Sequence, residues 1–366
     1  MKRRILFLLH IPPPVHGSSI VGRIIKESEL INKSFDCSYI NLSTSRRASK
    51  IGSFNFEKFF LFVHKLYLVI KEISSKKYDL IYIAPTVSDV GFFKDFFFVL
   101  IVKCFNSKVV FHLHNKGVSK NKNGLIDLMY KVFFRNVKVI ILSELLFLDL
   151  VKFIERKNIF VCPNGIEDVP MLDELLENKR IFDGRINILF LSNLIESKGV
   201  IDLVEACALL KRRGVNFHVK FVGAEVDISM SNLYTYIWRH NLSEEIEYLG
   251  VKVGKDKHEQ LLMADVFVFP TYYEKECLPL VILEAMQYGL PIITTREGGI
   301  PDLVIDNLNG LFVAKQCPQE IADKLEELFN DTNKMKEFGR HSRSIFKEGY
   351  TKGIFEVRLK DILTSL

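Results

Sequence analysis

Short, continuously apolar runs recur along this chain, each followed by a stretch with helical spacing, and the whole alternation occurs twice. In the first half the runs are Arg4 to His10, Ser38 to Asn41, Leu80 to Ala84, Lys108 to His112, Val137 to Leu142 and Ile159 to Cys162. In the second half they are Ile186 to Ser192, Asn216 to Val222, Glu247 to Leu249, Val266 to Pro270, Ile292 to Thr294 and Gly310 to Val313. A strand that is apolar on both faces must be covered on both faces, and helices packed on either side of a parallel sheet do that. The expected fold class is therefore α/β, with a doubly wound parallel sheet formed twice. At 366 residues the chain is long enough for two cores. The boundary is expected between Pro163-Asn164-Gly165 and Arg185, where the chain is polar and partly acidic before a fresh strand begins. This gives domains over 1–165 and 166–345, and a helical tail over 346–366 that could pack back on the first. Ligands in open α/β sheets sit at the carboxyl ends of strands, so two such domains would place a site in the cleft they face.

Composition narrows the class. Apolar residues make up 48% and charged residues 26%, a globular balance. The six cysteines are scattered with no C-x-x-C pair, which argues against a disulfide framework or a zinc cluster and fits a reducing compartment. The start, MKRRILFLLHIPPP, mimics a signal peptide, but its apolar run is Ile5 to Leu9 only and ends in His10 and three prolines. It reads better as a buried first strand. Charged residues interrupt every apolar run before it reaches the length of about 18 residues that a membrane span needs.

The segment FPTYYEKECLPLVILEAMQYGLPII, Phe269 to Ile293, carries the most chemistry. A buried strand ends at Pro270, a polar loop follows, and a helix starts around Pro279, a residue suited to a first-turn position. The free N–H groups of Leu280 and Val281 would then offer an anion site. Glu276 lies just before them and Glu284 about one turn inside. Carboxylates accept from sugar hydroxyls and N–H groups take a phosphate, so the pattern suits a polyhydroxylated, phosphorylated ligand.

Glu276 and Glu284, spaced Glu-x7-Glu and followed by Ala285-Met286 and Gly289-Leu290-Pro291, resemble the signature of the retaining glycosyltransferases of family 4. The resemblance continues in REGGIPDLV (Arg296 to Val304), DNLNGLFV (Asp306 to Val313) and PNGI (Pro163 to Ile166), closely in the second half and loosely in the first. It implies the GT-B fold, two Rossmann-like domains facing an interdomain cleft. It also implies transfer of a sugar from a nucleotide-sugar donor, most commonly UDP-linked, with retention and without a metal or other cofactor. Lys198, at the start of a helix after the strand ending at Leu191, matches a family lysine on the donor diphosphate. Asn193 stands where the family usually has an arginine and brings no charge. Main-chain groups around Val251 match the segment holding the nucleotide base. In the loop HIPPPVHGSS, Gly17 matches a family glycine against the donor phosphate, and Ser18 and Ser19 could cap the following helix. His114 aligns with a histidine near the transferring sugar, whereas His112 reads as a packing residue on a strand. Thus His114, Glu276 and Lys198 are the expected catalytic residues. Gly17, Asn193, Lys198, Leu280, Val281, Glu284 and Val251 are the expected donor contacts. No Asp-x-Asp occurs anywhere, and the loop after the first strand is not the G-x-G-x-x-G of dinucleotide oxidoreductases.

Charge is unevenly shared. Residues 1–165 hold 26 basic against 12 acidic side chains, a balance of +14, and the remainder carries −8, giving +6 in total. The stretch Glu57 to Lys77 interleaves lysines with aromatic and aliphatic residues at helical spacing. It reads equally as a helix packed on a sheet or as one lying in a membrane interface. A peripheral contact with an anionic membrane, or a lipid-linked acceptor, would account for the basic half; no nucleic-acid motif does. The expected setting is cytoplasmic, at or near the inner face of the cytoplasmic membrane, in synthesis of a surface polysaccharide or glycolipid. A GT-B epimerase and a non-catalytic sugar-nucleotide-binding protein remain as alternatives.

Overall fold

The structure is a computed structural model that describes residues 2–43, 56–105, 108–121, 123–177 and 184–366. The chain divides into two units, one of residues 1–165 with 352–366 and one of residues 166–351.

The first unit runs β1 (Arg4–Leu9), α1 (Gly17–Glu27), α2 (Glu29–Ser34), β2 (Asp36–Asn41), α3 (Phe56–Ser75), β3 (Leu80–Ile83), α4 (Asp89–Cys104), β4 (Val109–His112), α5 (Gly124–Phe134), β5 (Lys138–Ile141) and β6 (Ile159–Val161). The second runs α6 (Leu172–Glu177), β7 (Ile186–Leu191), α7 (Val200–Arg212), β8 (Phe217–Val222), α8 (Met230–Arg239), β9 (Ile246–Tyr248), α9 (Gly254–Met263), β10 (Val266–Phe269), α10 (Leu280–Gln287), β11 (Ile292–Thr294), α11 (Ile300–Leu303), β12 (Gly310–Phe312), α12 (Pro318–Asn330) and α13 (Thr332–Gly349). A final helix, α14 (Lys352–Ser365), belongs to the first unit and packs on α2. Residues 346–366 are thus not one helix. Phe346 to Gly349 finish α13, and the chain breaks at Tyr350, whose carbonyl accepts from Ile166 N–H at 3.1 Å.

Each unit holds a six-stranded, all-parallel sheet, ordered β2-β1-β3-β4-β5-β6 in the first and β12-β11-β10-β7-β8-β9 in the second. All twelve expected strands are present, with ends moved by one or two residues. The interiors of β1, β3, β4, β10 and β11 are fully buried, Ile5 to Leu9 exposing nothing, whereas β2 is partly exposed along its length. In the first sheet the strand order reverses at β1 and β3, in the second at β7 and β10. Loops leaving such a switch point diverge and leave room for a ligand.

Within the first unit, Lys103 on α4 donates to the carbonyls of Val132, Phe133 and Arg135 at 2.7, 2.7 and 2.8 Å, capping the end of α5. In the second, Arg343 on α13 pairs with Asp168 and Asp173 at 2.7 and 2.8 Å and fastens the segment leading into α6.

Candidate functional site

The expected site residues fall into two groups, one on each unit. In the second unit, the loops leaving β7 and β10 flank the switch point. The β7 loop ends in a 3-10 turn over Glu196–Lys198, and Gly199 follows with φ of +84°. A Cβ at Gly199 would stand 2.6 Å from the Pro270 carbonyl oxygen, so only glycine lets this turn lie against the end of β10. Tyr272 N–H donates to the Ser197 carbonyl at 2.8 Å and locks the two loops together.

This places Lys198 against Glu276. The two side chains form an ion pair and are only 14% and 10% exposed. The Lys198 ammonium also lies 4.7 Å from the Tyr273 ring centre and 5.2 Å from that of Phe269. The pairing is one the sequence did not foretell, since the partners stand 78 positions apart. Glu276 is itself seated on Gly298, whose φ is +56° and whose Cβ would come within 2.2 Å of the Glu276 carbonyl oxygen. Gly299 N–H then donates to the Cys277 carbonyl at 2.6 Å.

Helix α10 begins at Leu280. Pro279 is its N-cap, with extended ψ of 122°, so it stands one position earlier than the expected first-turn place. The distinction matters little to the chemistry, because Leu280 and Val281 still open the helix. Their N–H groups have no hydrogen-bond partner among the described residues and sum with the helix dipole into an anion-favouring end. Glu284 is paired with Lys257 of α9 at 2.6 Å, a partner that sequence reading missed. Burial and the Glu284 charge push the neighbouring Tyr288 hydroxyl up to about 12. Asn193 is exposed on the β7 loop, and its carbonyl accepts from Ile195 N–H at 2.8 Å. Val251 is exposed just beyond Gly250, whose carbonyl accepts from Gly223 N–H at 2.9 Å.

In the first unit, Gly17 opens α1, and a Cβ there would meet nothing within 4 Å. The cap of α1 is His16, not Ser18 or Ser19. Ser19 N–H donates to His16 Nδ1 at 3.3 Å while His16 N–H donates to Ser19 Oγ at 2.9 Å, a reciprocal box that consumes Ser19. His112 ends β4 fully buried, beside Tyr82 and 4.3 Å from the ring of His114. His114 Nδ1 is buried without a hydrogen-bond partner. Asp95, buried on α4, accepts from Thr86 N–H at 2.7 Å and has Lys94 at 3.2 Å and His10 at 3.8 Å. The surrounding positive groups hold its carboxyl well below the usual range against its own burial. Its signal in the sequence was a charge inside the apolar run Phe92 to Phe105.

Burial and the neighbouring His10 and Lys94 lower His16 to about 4. Burial, His10 and His16 lower His114 to about 3. Both are neutral imidazoles at pH 7. A depressed histidine takes its proton more readily in the unfolded chain, so its contribution to stability is intact above about pH 6.5 and drains away as pH falls toward 4. Stability is expected to fall over that window by up to about 1.4 kcal/mol per histidine per pH unit, seen as a falling melting temperature. His114→Asn, uncharged throughout, should flatten the slope; an unchanged pH profile in calorimetry would remove His114 from this account.

Among the described residues no group of three or more His, Cys, Asp or Glu side chains is placed to hold a metal ion, and no helix is long and apolar enough to cross a membrane.

Residues 173–345 match the profile of the family described as Glycosyl transferases group 1. The chain is 30% identical over 141 residues to the amylovoran biosynthesis glycosyltransferase AmsK of Erwinia amylovora, covering 37% of this chain and 34% of that one. It is 24% identical over 207 residues to the capsular polysaccharide biosynthesis glycosyltransferase CapM of Staphylococcus aureus, covering 56% of this chain and 53% of that one. It thus spans about half, or less, of the length of these relatives. Among solved structures, sucrose-phosphate synthase of Thermosynechococcus elongatus superposes with a TM-score of 0.77 at 19% identity, over 100% of this chain and 99% of that one. Anabaena HepE in complex with UDP and glucose superposes with a TM-score of 0.72 at 18% identity, over 99% of each chain. The two six-stranded sheets with their flanking helices are those of the GT-B fold.

Proposed function

We propose that this chain is a glycosyltransferase that moves a sugar from a nucleotide-sugar donor, UDP-linked, to a hydroxyl of a glycan or lipid-linked acceptor. In this reading the sugar keeps its anomeric configuration, no metal takes part, and the product feeds a surface polysaccharide or glycolipid at the inner face of the cytoplasmic membrane. The observation that carries it is the buried Lys198–Glu276 pair beside the open N-terminus of α10. The names of AmsK and CapM and the UDP and glucose in the HepE structure point the same way.

The donor diphosphate would lie on the N–H groups of Leu280 and Val281 and compete with Glu276 for the Lys198 ammonium. Once Lys198 turns to phosphate, the Glu276 carboxylate is free to accept from the sugar hydroxyls. As the glycosidic bond breaks, the helix end and Lys198 meet the charge developing on the departing diphosphate. Glu284, oriented by Lys257, accepts from the ribose, and main-chain groups at Val251 hold the base. Asn193 contributes a hydrogen bond where a second cation would be usual, so the end of α10 carries a larger share of the diphosphate.

Incubation with a panel of radiolabelled nucleotide sugars and a membrane lipid extract is expected to move label into the lipid phase. Tight donor binding with neither transfer nor hydrolysis would sink the proposal, leaving a binding protein.

A further inference from the structure

The helices α3, α4 and α5 each carry two apolar faces. One packs inward, through Val69 and Ile73, Phe98 and Val102, and Tyr130 and Phe133. The other points outward. On α3 it presents Phe60, Val63 and Tyr67, spaced i, i+3, i+7 and 69%, 45% and 57% exposed. On α4 it presents Phe93 and Phe97, and on α5 Leu128, which is 58% exposed. A helix covering a sheet in water normally turns a polar face outward. Here the outward faces are apolar on three helices in succession.

These helices are neighbours. Phe62 of α3 packs against Phe97 and Phe98 of α4, with ring centres 6.4 and 5.3 Å apart, and Phe92 of α4 against Tyr130 of α5 at 4.5 Å. The crossovers β2→β3, β3→β4 and β4→β5 all step in one direction along the sheet. With the usual right-handed crossover they put α3, α4 and α5 on one side. Their N-terminal ends stand at the carboxyl ends of the strands, the same end of this unit as His10, Gly17 and His114. The apolar surface therefore runs up to the rim of the first unit's site residues. Contiguous exposed apolar side chains of this kind mark interaction surfaces.

We infer that the outward faces of α3, α4 and α5 form one docking surface for an anionic lipid bilayer. The charge balance selects this occupant. The stretch 1–165 that bears the apolar face carries +14 while the rest of the chain carries −8, so the apolar surface belongs to the basic half. Lys71, Lys131 and Arg135 are exposed on or beside the same helices. A bilayer interface accepts aromatic and aliphatic side chains spread over several parallel helices without shape matching, and draws lysine and arginine to its anionic headgroups. The surface deepens the lipid-linked acceptor reading above, since it would bring an acceptor headgroup to the edge bearing His114.

The full chain is tested by flotation with vesicles of equal parts phosphatidylethanolamine and phosphatidylglycerol, and with vesicles of phosphatidylcholine alone. Binding to the anionic vesicles is expected, with at least a tenfold loss, roughly, in the variant Phe60→Ser/Phe97→Ser/Leu128→Ser, whose melting temperature stays that of wild type. No binding by wild type, or equal binding by the variant, overturns the inference. So does a wild-type dimer in sedimentation equilibrium that the variant dissolves, which would make a second copy the occupant. A nucleotide-sugar thermal shift on the same samples separates the two readings. Vesicle binding without any donor shift leaves the surface standing and removes the glycosyltransferase; a donor shift without vesicle binding does the reverse.

Discussion

Glu276→Ala is expected to lower sugar transfer by about 10³-fold or more, as losing a group that acts on the reacting sugar does, and to destabilise the second unit as well. The second effect follows from the Lys198–Glu276 pair, whose members are 14% and 10% exposed. Removing one partner leaves the other charge buried and unmatched, at a cost of about 3–5 kcal/mol. The double variant Lys198→Met/Glu276→Leu removes both charges and should recover most of that stability while remaining inactive. Melting curves and initial rates on Lys198→Met, Glu276→Leu and the double variant complete a cycle with wild type. If Glu276→Ala transfers sugar at the wild-type rate, the assignment of the site fails. If the double variant is no more stable than Glu276→Ala, the pair is not what holds these loops.

Gly298→Ala is the second large effect, and it acts without touching any charge. At φ of +56° an alanine costs about 1–2 kcal/mol, and its Cβ would stand 2.2 Å from the Glu276 carbonyl oxygen and 2.9 Å from that of Cys277. Both oxygens are backbone, so relief requires the Glu276 loop to move. A displacement near 1 Å at a reacting group costs on the order of 10²-fold in rate. Gly214→Ala is the matched control, with φ of +74° and nothing within 4 Å of its Cβ. It should show the conformational cost alone. Equal melting temperatures and equal rates for the two variants would mean that Gly298 does not seat Glu276.

The strands were legible in the sequence because a buried parallel strand leaves a run with no polar interruption, as in Ile5 to Leu9. What the sequence could not display were pairings set by distant parts of the chain. The break between α13 and α14 depends on Tyr350 meeting Ile166, and the apolar spacing runs across it unmarked. His16 takes the cap expected of the serines because its ring can accept from Ser19 N–H while Ser19 answers its own. At the site, Glu276, Glu284 and Lys198 stood out through local spacing. Lys257 did not, since it lies on another helix and meets Glu284 only through the sheet order that sets α9 near α10. Asp95 was visible only as a blemish in an apolar helix; buried beside His10 and Lys94, it is a fixed negative charge for that end of the first unit. The outward apolar faces were half legible: the period on α3 could be read, but not which of its two faces met the sheet.

The placement of α14 has a consequence for how this protein is made. The second unit, residues 166–351, is inserted within the first, which is completed only by residues 352–366. During synthesis the first unit therefore waits with α2 uncovered until the whole of the second unit has been made and residues 352–366 have followed it. A truncation that removes only α14 should leave the first unit unfinished although every residue of the second is present.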